Sequence, residues 1–177
     1  GAAFDNVKAM GLNTVIMQVR PYADAVYPSD YFPWSYLAAG TEGKNPGFDP
    51  LNIMVREAHN RGLSIEAWLN PYRVRNSNYN DPLSEDNVVA EYLKNGDAIE
   101  YGGGIYFNPA SEKARQLIVN GVKEIAENYN VDGIHFDDYF YPTTDEAFDK
   151  ASYSAYKSNG GRLSLAEWRR ENVNLLV

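Results

Sequence analysis

The chain has 177 residues, 44% of them hydrophobic and 23% charged, as is typical of one folded domain with its own core. Its net charge of −8 argues against a nucleic-acid partner, because such binding relies on Lys and Arg to neutralise phosphates. The absence of cysteine excludes disulfides and thiol chemistry, and no apolar run approaches the roughly 20 residues needed to cross a bilayer.

The first third of the chain predicts a helix, a strand and a second helix. Phe4, Val7 and Met10 recur at helical spacing, and the β-branched run TVIMQVR that follows is typical of a strand buried on both faces of a parallel sheet. The segment FDPLNIMVREAHNRG then predicts a helix with Asp49 as its N-cap and Pro50 at its first position.

The same alternation continues downstream. LSIEAWLNPY predicts a second strand, NPASEKARQLIVNGVKEIAENYN a helix capped by Asn108 with Pro109 first, and VDGIHFDD a third strand. Strands and helices that alternate at this spacing indicate right-handed βαβ units. We therefore predict an α/β fold of the (β/α)8 TIM-barrel type, with part of the barrel present as a single catalytic-barrel portion over residues 1–177.

Two other segments contain sequence patterns that predict local structure. The polar segment 76–104 interrupts the alternation, and we expect an inserted loop there with a short helix over Asp86–Lys94 and a hairpin that ends in GIYF. Ser164 and Glu167 form a capping box that predicts a C-terminal helix. Since no strand precedes the first helix and no stop signal follows the last one, we expect the fold to be truncated at both ends.

Polar side chains occupy the carboxyl ends of all three predicted strands, where a buried strand should stay apolar. They are, strand by strand, Gln18 and Arg20, then Glu66, Trp68 and Asn70, then His135 and Asp137. Alternation places the members of each set on one face of their strand. A single polar residue at such a position is more often a structural group whose hydrogen bonds are all made. Packing all of these residues against one another would cost several kcal/mol of desolvation free energy. We therefore expect a solvated cleft at this end of the barrel, where active sites lie.

Two adjacent acids end the third strand. By alternation Asp137 points into the cleft and Asp138 away from it, so Asp137 is the better candidate for the chemistry and Asp138 for capping or bracing. Glycosidases use two carboxyl groups tuned to different protonation states, and the partner of Asp137 should come from another strand. Glu66 is one candidate, and its structural alternative is an ion pair with Arg20 or His135.

The loop from Pro21 to Phe48 is longer than a βα connection requires and is rich in aromatic residues. Aromatic faces among Asp, Ser and Asn suit sugar rings, whose C–H faces stack while their hydroxyls form hydrogen bonds. We therefore predict that Tyr22 and Trp34 bind substrate. The alternative is a small aromatic core that holds the loop in place.

Several long motifs resemble a known family. GLNTVIMQVRPYADAVYPSDYFPWS, NPGFDPLNIMVREAHNRGLSIEAWLNPYR, VDGIHFDDYFYP and WRRENVNLLV are similar to the glycosyl hydrolase-like family ten of bacterial surface proteins. The resemblance implies a (β/α)8 barrel that acts on glycans outside the cytoplasm, in the periplasm, attached to the outer membrane or secreted. The resemblance further implies at least one bacterial relative that cleaves peptidoglycan strands stripped of their peptides. The family more often has His at the position of Glu66.

The resemblance also implies a set of site residues. They are Gln18, Arg20, Asn70, Tyr72, Arg73, His135, Asp137, Asp138 and Tyr139. DGIHFD is further spaced like the DGFRLD strand of alpha-amylase-type barrels, whose last Asp is the nucleophile, and this likeness would make Asp137 the nucleophile. The chitinase pattern DGxDxDxE would need a Glu where this chain has Tyr139, so chitinase-type cleavage is not supported.

We therefore predict a glycoside hydrolase that acts on a bacterial or dietary polysaccharide, with peptidoglycan glycan strands as one candidate and with Asp137 and Asp138 as catalytic residues. The residues predicted to bind substrate are Gln18, Arg20, Tyr22, Trp34, Trp68, Asn70, Tyr72, Arg73, His135 and Tyr139. We expect no cofactor or metal, a glycan as partner, and no nucleic acid or membrane-spanning segment. The sequence leaves the oligomeric state open.

Two other functions stay open. A noncatalytic glycan-binding barrel would keep the cleft without the chemistry. A metal-dependent polysaccharide deacetylase would suit the FDD motif, since carboxylates are common metal ligands, but it needs further histidines at helical spacing, and this chain has only His59 and His135.

Overall fold

The computed structural model describes residues 1–78, 82–137 and 140–177, which form six strands and seven helices. In chain order these are α1 (Ala2–Ala9), β1 (Thr14–Arg20), α2 (Tyr36–Ala39), α3 (Pro50–His59), β2 (Ser64–Leu69), β3 (Arg73–Arg75), α4 (Val89–Asn95), β4 (Ala98–Tyr101), β5 (Gly104–Phe107), α5 (Glu112–Asn128), β6 (Gly133–Phe136), α6 (Lys150–Ser158) and α7 (Leu165–Asn174). None of these helices, over the residues described, is long and apolar enough to span a bilayer.

The described residues fall into two compact units. The first consists of residues 1–71, 82–87 and 120–137, and the second of residues 72–78, 88–119 and 140–177. The single barrel portion expected over the whole chain stays a prediction.

The first unit is built on a parallel sheet with strand order β1–β2–β6. The predicted parallel strands are confirmed, but β6 is shorter than expected. It ends at Phe136, so Asp137 follows the strand instead of lying in it.

Strand β2 packs against α3. The helix begins where the sequence predicts, because Asp49 accepts a hydrogen bond from the Asn52 amide at 3.0 Å and Pro50 occupies the first turn. The apolar side chains of one face of each element are buried. They are Leu51, Val55 and Ala58 of α3 and Ile65, Ala67 and Leu69 of β2. The other face of β2 carries Glu66 and Trp68, which are partly exposed.

The second unit contains an antiparallel sheet with strand order β3–β5–β4. Strands β4 and β5 form a hairpin, and Gly102 and Gly103 at its turn both have positive φ angles, which glycine adopts without strain. The predicted hairpin and the short helix before it, α4, are confirmed, although α4 begins at Val89 instead of Asp86.

The start of α5 differs from the prediction. The Ser111 hydroxyl accepts a hydrogen bond from the Ala114 amide at 3.0 Å, and the helix begins at Glu112. Asn108, the expected N-cap, instead donates its side-chain amide to the Gly96 carbonyl at 2.9 Å. The expectation of a start at Asn108 is therefore wrong. Oδ1 of Asn108 accepts from the Ala110 amide at 3.0 Å and closes a turn, and Ser111 caps the helix after that turn.

The capping box at the start of α7 is confirmed. Ser164 accepts from the Glu167 amide, and the Glu167 carboxylate accepts from the Ser164 amide at 2.9 Å. The two residues therefore satisfy backbone donors that the helix itself leaves unpaired.

Candidate functional site

The register of the parallel sheet places three predicted site residues side by side. Gln18 pairs with Trp68, and Trp68 pairs with His135. Register partners on neighbouring strands point to the same face of the sheet. Glu66 lies two residues before Trp68 and therefore on that face as well. We call Gln18, Glu66, Trp68 and His135 the polar strand face.

A carboxylate and an imidazole meet on the polar strand face. Oε2 of Glu66 lies 3.7 Å from Nδ1 of His135, and the two side chains are 36% and 34% exposed. Gly133, opposite Glu66, makes room for this contact, because a Cβ there would lie 3.1 Å from Cγ of Glu66. The partner predicted for Glu66 in a structural role is thus His135 and not Arg20.

The indole of Trp68 is held from two sides. Its Nε1 donates to Oδ1 of Asn70 at 3.1 Å, and its ring meets the His135 ring edge to face, with centroids 6.1 Å apart. Asn70 is buried and donates its Nδ2 to the Pro21 carbonyl at 3.1 Å. These bonds favour a positioning role for Asn70 over the predicted contact with a sugar hydroxyl.

Arg20 lies on the opposite face of the sheet from Gln18. A β-bulge shifts the register between these two residues, so that Gln18 stands opposite Trp68 and Arg20 opposite Leu69. A bulge adds one residue to a strand and reverses the alternation beyond it. The expectation that Gln18 and Arg20 share a face is therefore wrong.

The Arg20 side chain is fully buried and supports the strand ends from behind. Its guanidinium lies 4.5 Å from the centroid of the Phe32 ring and donates to the carbonyls of Asn70 and Pro71 at 3.5 and 3.4 Å. Phe32 in turn fits over Gly121 of α5, where a Cβ would lie 2.6 Å from Cε2 of the ring. Gly121, in the middle of a predicted helix, was the one feature of the sequence that indicated the packing of Phe32 against α5.

Asp24 is a buried acid whose charge interacts with that of Arg20. Burial raises the pKa of Asp24 to about 6, although a hydrogen bond from Ser35 and the charge of Arg20 oppose the shift. Burial also lowers the pKa of Arg20 to about 10, while the charges of Tyr27 and Asp24 act in the other direction. Asp24 lies in a loop, where no periodic pattern marks it as buried.

Of the two acids that end the third predicted strand, Asp137 lies among the described residues and Asp138 does not. Asp137 is exposed directly beyond β6. Asp138 lies outside the described residues, as does the predicted substrate-binding residue Tyr139.

The remaining predicted residues lie in other places. Trp34 lines a pocket between the loop after β1 and the helices, and Tyr22 is partly exposed in the same loop. Tyr72 and Arg73 belong to the second unit. Tyr72 is buried there, and burial raises the pKa of its hydroxyl, while Arg73 is partly exposed in β3.

Comparisons with known proteins agree with this architecture. The model of the family Glycosyl hydrolase-like 10 matches residues 2–177. The chain is 44% identical over 179 residues to "Glycosyl hydrolase YngK" of Bacillus subtilis (strain 168), with 98% of this chain and 34% of that protein covered. It is 37% identical over 182 residues to "Glycosyl hydrolase DigH" of Escherichia coli (strain K12), with 98% and 41% covered. The chain thus spans less than half the length of these relatives.

A solved structure shows the same fold. Alpha-L-fucosidase isoenzyme 2 from Paenibacillus thiaminolyticus superposes with a TM-score of 0.63 at 12% identity, over 98% of this chain and 25% of that chain. This likeness confirms an α/β fold of the (β/α)8 barrel type, of which the chain contains part. Since the family model matches nearly every residue, the chain belongs to the glycosyl hydrolase-like 10 family.

Proposed function

We propose that this protein is a glycoside hydrolase that cleaves a bacterial or dietary polysaccharide, with peptidoglycan glycan strands as the first candidate, and that Asp137 is its nucleophile or general base. The observation that carries this proposal is the position of Asp137 directly beyond β6, two residues after His135 on the polar strand face. In barrels of this type the reacting groups lie at the carboxyl ends of the strands.

Hydrolysis of a glycosidic bond uses a second carboxyl group, roughly 5 to 10 Å from the first, to protonate the leaving oxygen. Glu66 lies on the polar strand face but is engaged with His135. We therefore assign the proton donor to an acid on a strand other than β1, β2 and β6. Glu66 is then a positioning residue that acts through His135.

The polar strand face also offers groups that suit a sugar. The indole of Trp68 is partly exposed and fixed by Asn70, so that it can present a rigid apolar surface to a pyranose ring. Gln18 stands beside it in register and supplies an amide that can both donate to and accept from hydroxyl groups. Arg20 keeps the ends of β1 and β2 in place from the buried side.

The test is an assay of the full-length protein on de-peptided peptidoglycan glycan and on a panel of plant and bacterial polysaccharides, with reducing ends as the readout. We expect turnover of at least one substrate, and loss of turnover in Asp137→Asn. Asp86→Asn, which changes another exposed acid, is the matched control and should keep full activity. Binding of a glycan without turnover of any substrate would instead indicate a noncatalytic glycan-binding barrel.

We also propose that the protein works outside the cytoplasm, as its resemblance to bacterial surface proteins implies. Fractionation of the source cells tests this. Recovery of the protein in the cytoplasmic fraction alone would contradict it.

A further inference from the structure

A pocket of about 490 Å³ opens in the first unit, and we call it the loop pocket. Its lining comes from the loop after β1, the start of α3, the last turns of α5 and Tyr129 directly after that helix. None of the nine described residues that line it belongs to β1, β2 or β6, so it is distinct from the polar strand face. Its volume is within the roughly 300–1,000 Å³ of small-molecule sites.

Hydrogen bonds between distant segments hold the walls of the loop pocket together. The buried carboxylate of Glu124 in α5 accepts from the Ser29 hydroxyl at 2.6 Å and from the Asp30 amide at 2.7 Å. The Tyr129 hydroxyl donates to Oδ2 of Asp49, the N-cap of α3, at 2.8 Å. Because these bonds fix the loop and both helices, the pocket does not need to be ordered by a ligand.

The lining combines the groups that recognise sugars. Trp34 contributes a partly exposed indole, and Asn52 and Asn128 contribute exposed amides. The amide nitrogen of Asn128 donates to the Glu124 carbonyl at 2.9 Å, which holds this side chain in one orientation. An apolar ring face beside fixed amide and carboxylate groups fits a pyranose, which has C–H groups on its faces and hydroxyls at its edge.

The charge of the lining limits which sugars can enter. Three of the nine lining residues are acids, Asp30, Asp49 and Glu124, and none of the nine is Lys or Arg. Carboxylates accept hydrogen bonds from hydroxyl groups but repel a uronic acid or a phosphorylated sugar.

From this geometry we infer that the loop pocket is a second carbohydrate-binding site, which takes an uncharged pyranose unit with its ring on Trp34. The inference goes beyond the proposed hydrolysis, because binding here needs neither Asp137 nor a proton donor. Such a site would hold one part of a polysaccharide while another part of the same polymer lies at the polar strand face, which raises the effective concentration of substrate there.

The test uses the three tryptophans of the chain as separate reporters. The indole N–H signals of Trp34, Trp68 and Trp168 are assigned by substitution, and the ¹⁵N-labelled protein is titrated with three probes. Cellotriose and N-acetylchitotriose are uncharged, and trigalacturonate is acidic. We expect the Trp34 signal to shift with at least one uncharged trisaccharide and not with trigalacturonate.

Two variants test whether the loop pocket is the site. Trp34→Ala and Asn52→Ala should each weaken binding of the uncharged trisaccharide, by about tenfold for Trp34 because it loses the stacking surface. The controls are Phe48→Ala, which removes an exposed aromatic ring of the same loop, and Asn60→Ala at the other end of α3. Neither lines the pocket, and both should keep wild-type affinity.

Three results would overturn the inference. They are no shift of Trp34 with either uncharged probe, equal binding of trigalacturonate, and unchanged affinity in both pocket variants. A shift of Trp68 without Trp34 would place the sugar on the polar strand face, against this inference and in favour of the proposed function. A Trp34 shift in a protein that hydrolyses nothing would support the loop pocket and contradict the hydrolase.

Discussion

Oε2 of Glu66 lies 3.7 Å from Nδ1 of His135, and this contact joins the second and third strands of the parallel sheet on their polar face. In a neutral imidazole one nitrogen carries a proton and the other accepts. A carboxylate beside Nδ1 favours the proton on that nitrogen and leaves Nε2 as the acceptor. His135 is two residues before Asp137, so its tautomer affects the groups proposed to carry out the chemistry.

Replacing Glu66 with Gln should change the tautomer of His135. The variant removes the negative charge but keeps the shape, so we expect a smaller fraction of His135 with its proton on Nδ1. Correlation of ring nitrogens and carbon-bound protons by NMR at about pH 8, above the ordinary pKa of imidazole, measures that fraction.

The chain contains its own reference for this experiment. His59 is the other histidine, and its Nε2 lies 2.9 Å from Oδ2 of Asp132, which favours the opposite tautomer. Its signals should be the same in the wild type and in Glu66→Gln. Identical His135 signals in the two proteins would show that the carboxylate does not orient the ring.

Gly133→Ala should disturb the same pair without removing either member. The new Cβ would lie 3.1 Å from Cγ of Glu66, whose side chain is partly exposed and can move away. We expect a loss of stability below about 1 kcal/mol and a change of the His135 tautomer in the direction of Glu66→Gln.

A double-mutant cycle gives the control for this substitution. In a Glu66→Ala background nothing remains for the new methyl group to displace, so Gly133→Ala should leave the His135 signals unchanged. Equal effects of Gly133→Ala in both backgrounds would mean that it acts on the strand and not through Glu66.

Gly121→Ala should destabilise the protein, although alanine is the better helix former by about 1 kcal/mol. The added Cβ would lie 2.6 Å from Cε2 of Phe32, and overpacking of this kind costs about 1 to 3 kcal/mol. The ring is confined because Arg20 lies over it. We expect a net loss of about 1 to 2 kcal/mol in urea unfolding and a partial recovery on adding Phe32→Leu, which shortens the clashing side chain. A more stable Gly121→Ala protein would show that Phe32 is free to move.

Asp24→Asn should change how stability depends on pH. Burial raises the folded-state pKa of Asp24 to about 6, so between about pH 4 and 6 the folded protein holds a proton that the unfolded chain releases. Wild-type stability should therefore fall as pH rises through this range. Asn cannot ionise, so the variant does not lose stability in this way. Between pH 4 and 7 its free energy of unfolding should therefore rise by about 2 to 3 kcal/mol relative to that of the wild type.

Urea unfolding at a series of pH values from 4 to 7 measures this difference. Asp86→Asn, at an exposed acid, is the control and should follow the wild type throughout. Parallel curves for Asp24→Asn and the wild type would contradict the raised pKa.

The elements predicted from sequence were those that depend on neighbouring residues. The N-cap at Asp49, the capping box at Ser164 and the hairpin that ends in GIYF are set by contacts within a few residues, and all are confirmed. Alternation within each strand also predicts that Gln18, Trp68 and His135 face one side of the sheet, and the observed register agrees with this.

The errors arose where contacts between distant segments decide the structure. The bulge that turns Arg20 to the buried face places it over Phe32, and nothing in TVIMQVR marks it. At the start of α5, Asn108 bonds to Gly96 and to the Ala110 amide, and Ser111 caps the helix in its place. The loop pocket depends on Glu124, which looks like an ordinary surface acid of an amphipathic helix until the loop folds over it.

Chemical rescue tests the central claim most directly, because a small external anion can replace a missing catalytic carboxylate but not a structural one. The measurement is the rate at which full-length Asp137→Ala cleaves the best substrate of the wild type, with and without azide. Azide attacks the anomeric carbon in place of the lost carboxylate while the leaving sugar departs with a proton, so the rescued reaction yields a glycosyl azide and the leaving sugar. We predict a loss of about 1,000-fold or more without azide and a rate that rises with azide concentration. Hydrolysis at the wild-type rate by Asp137→Ala without azide would contradict the assignment of Asp137.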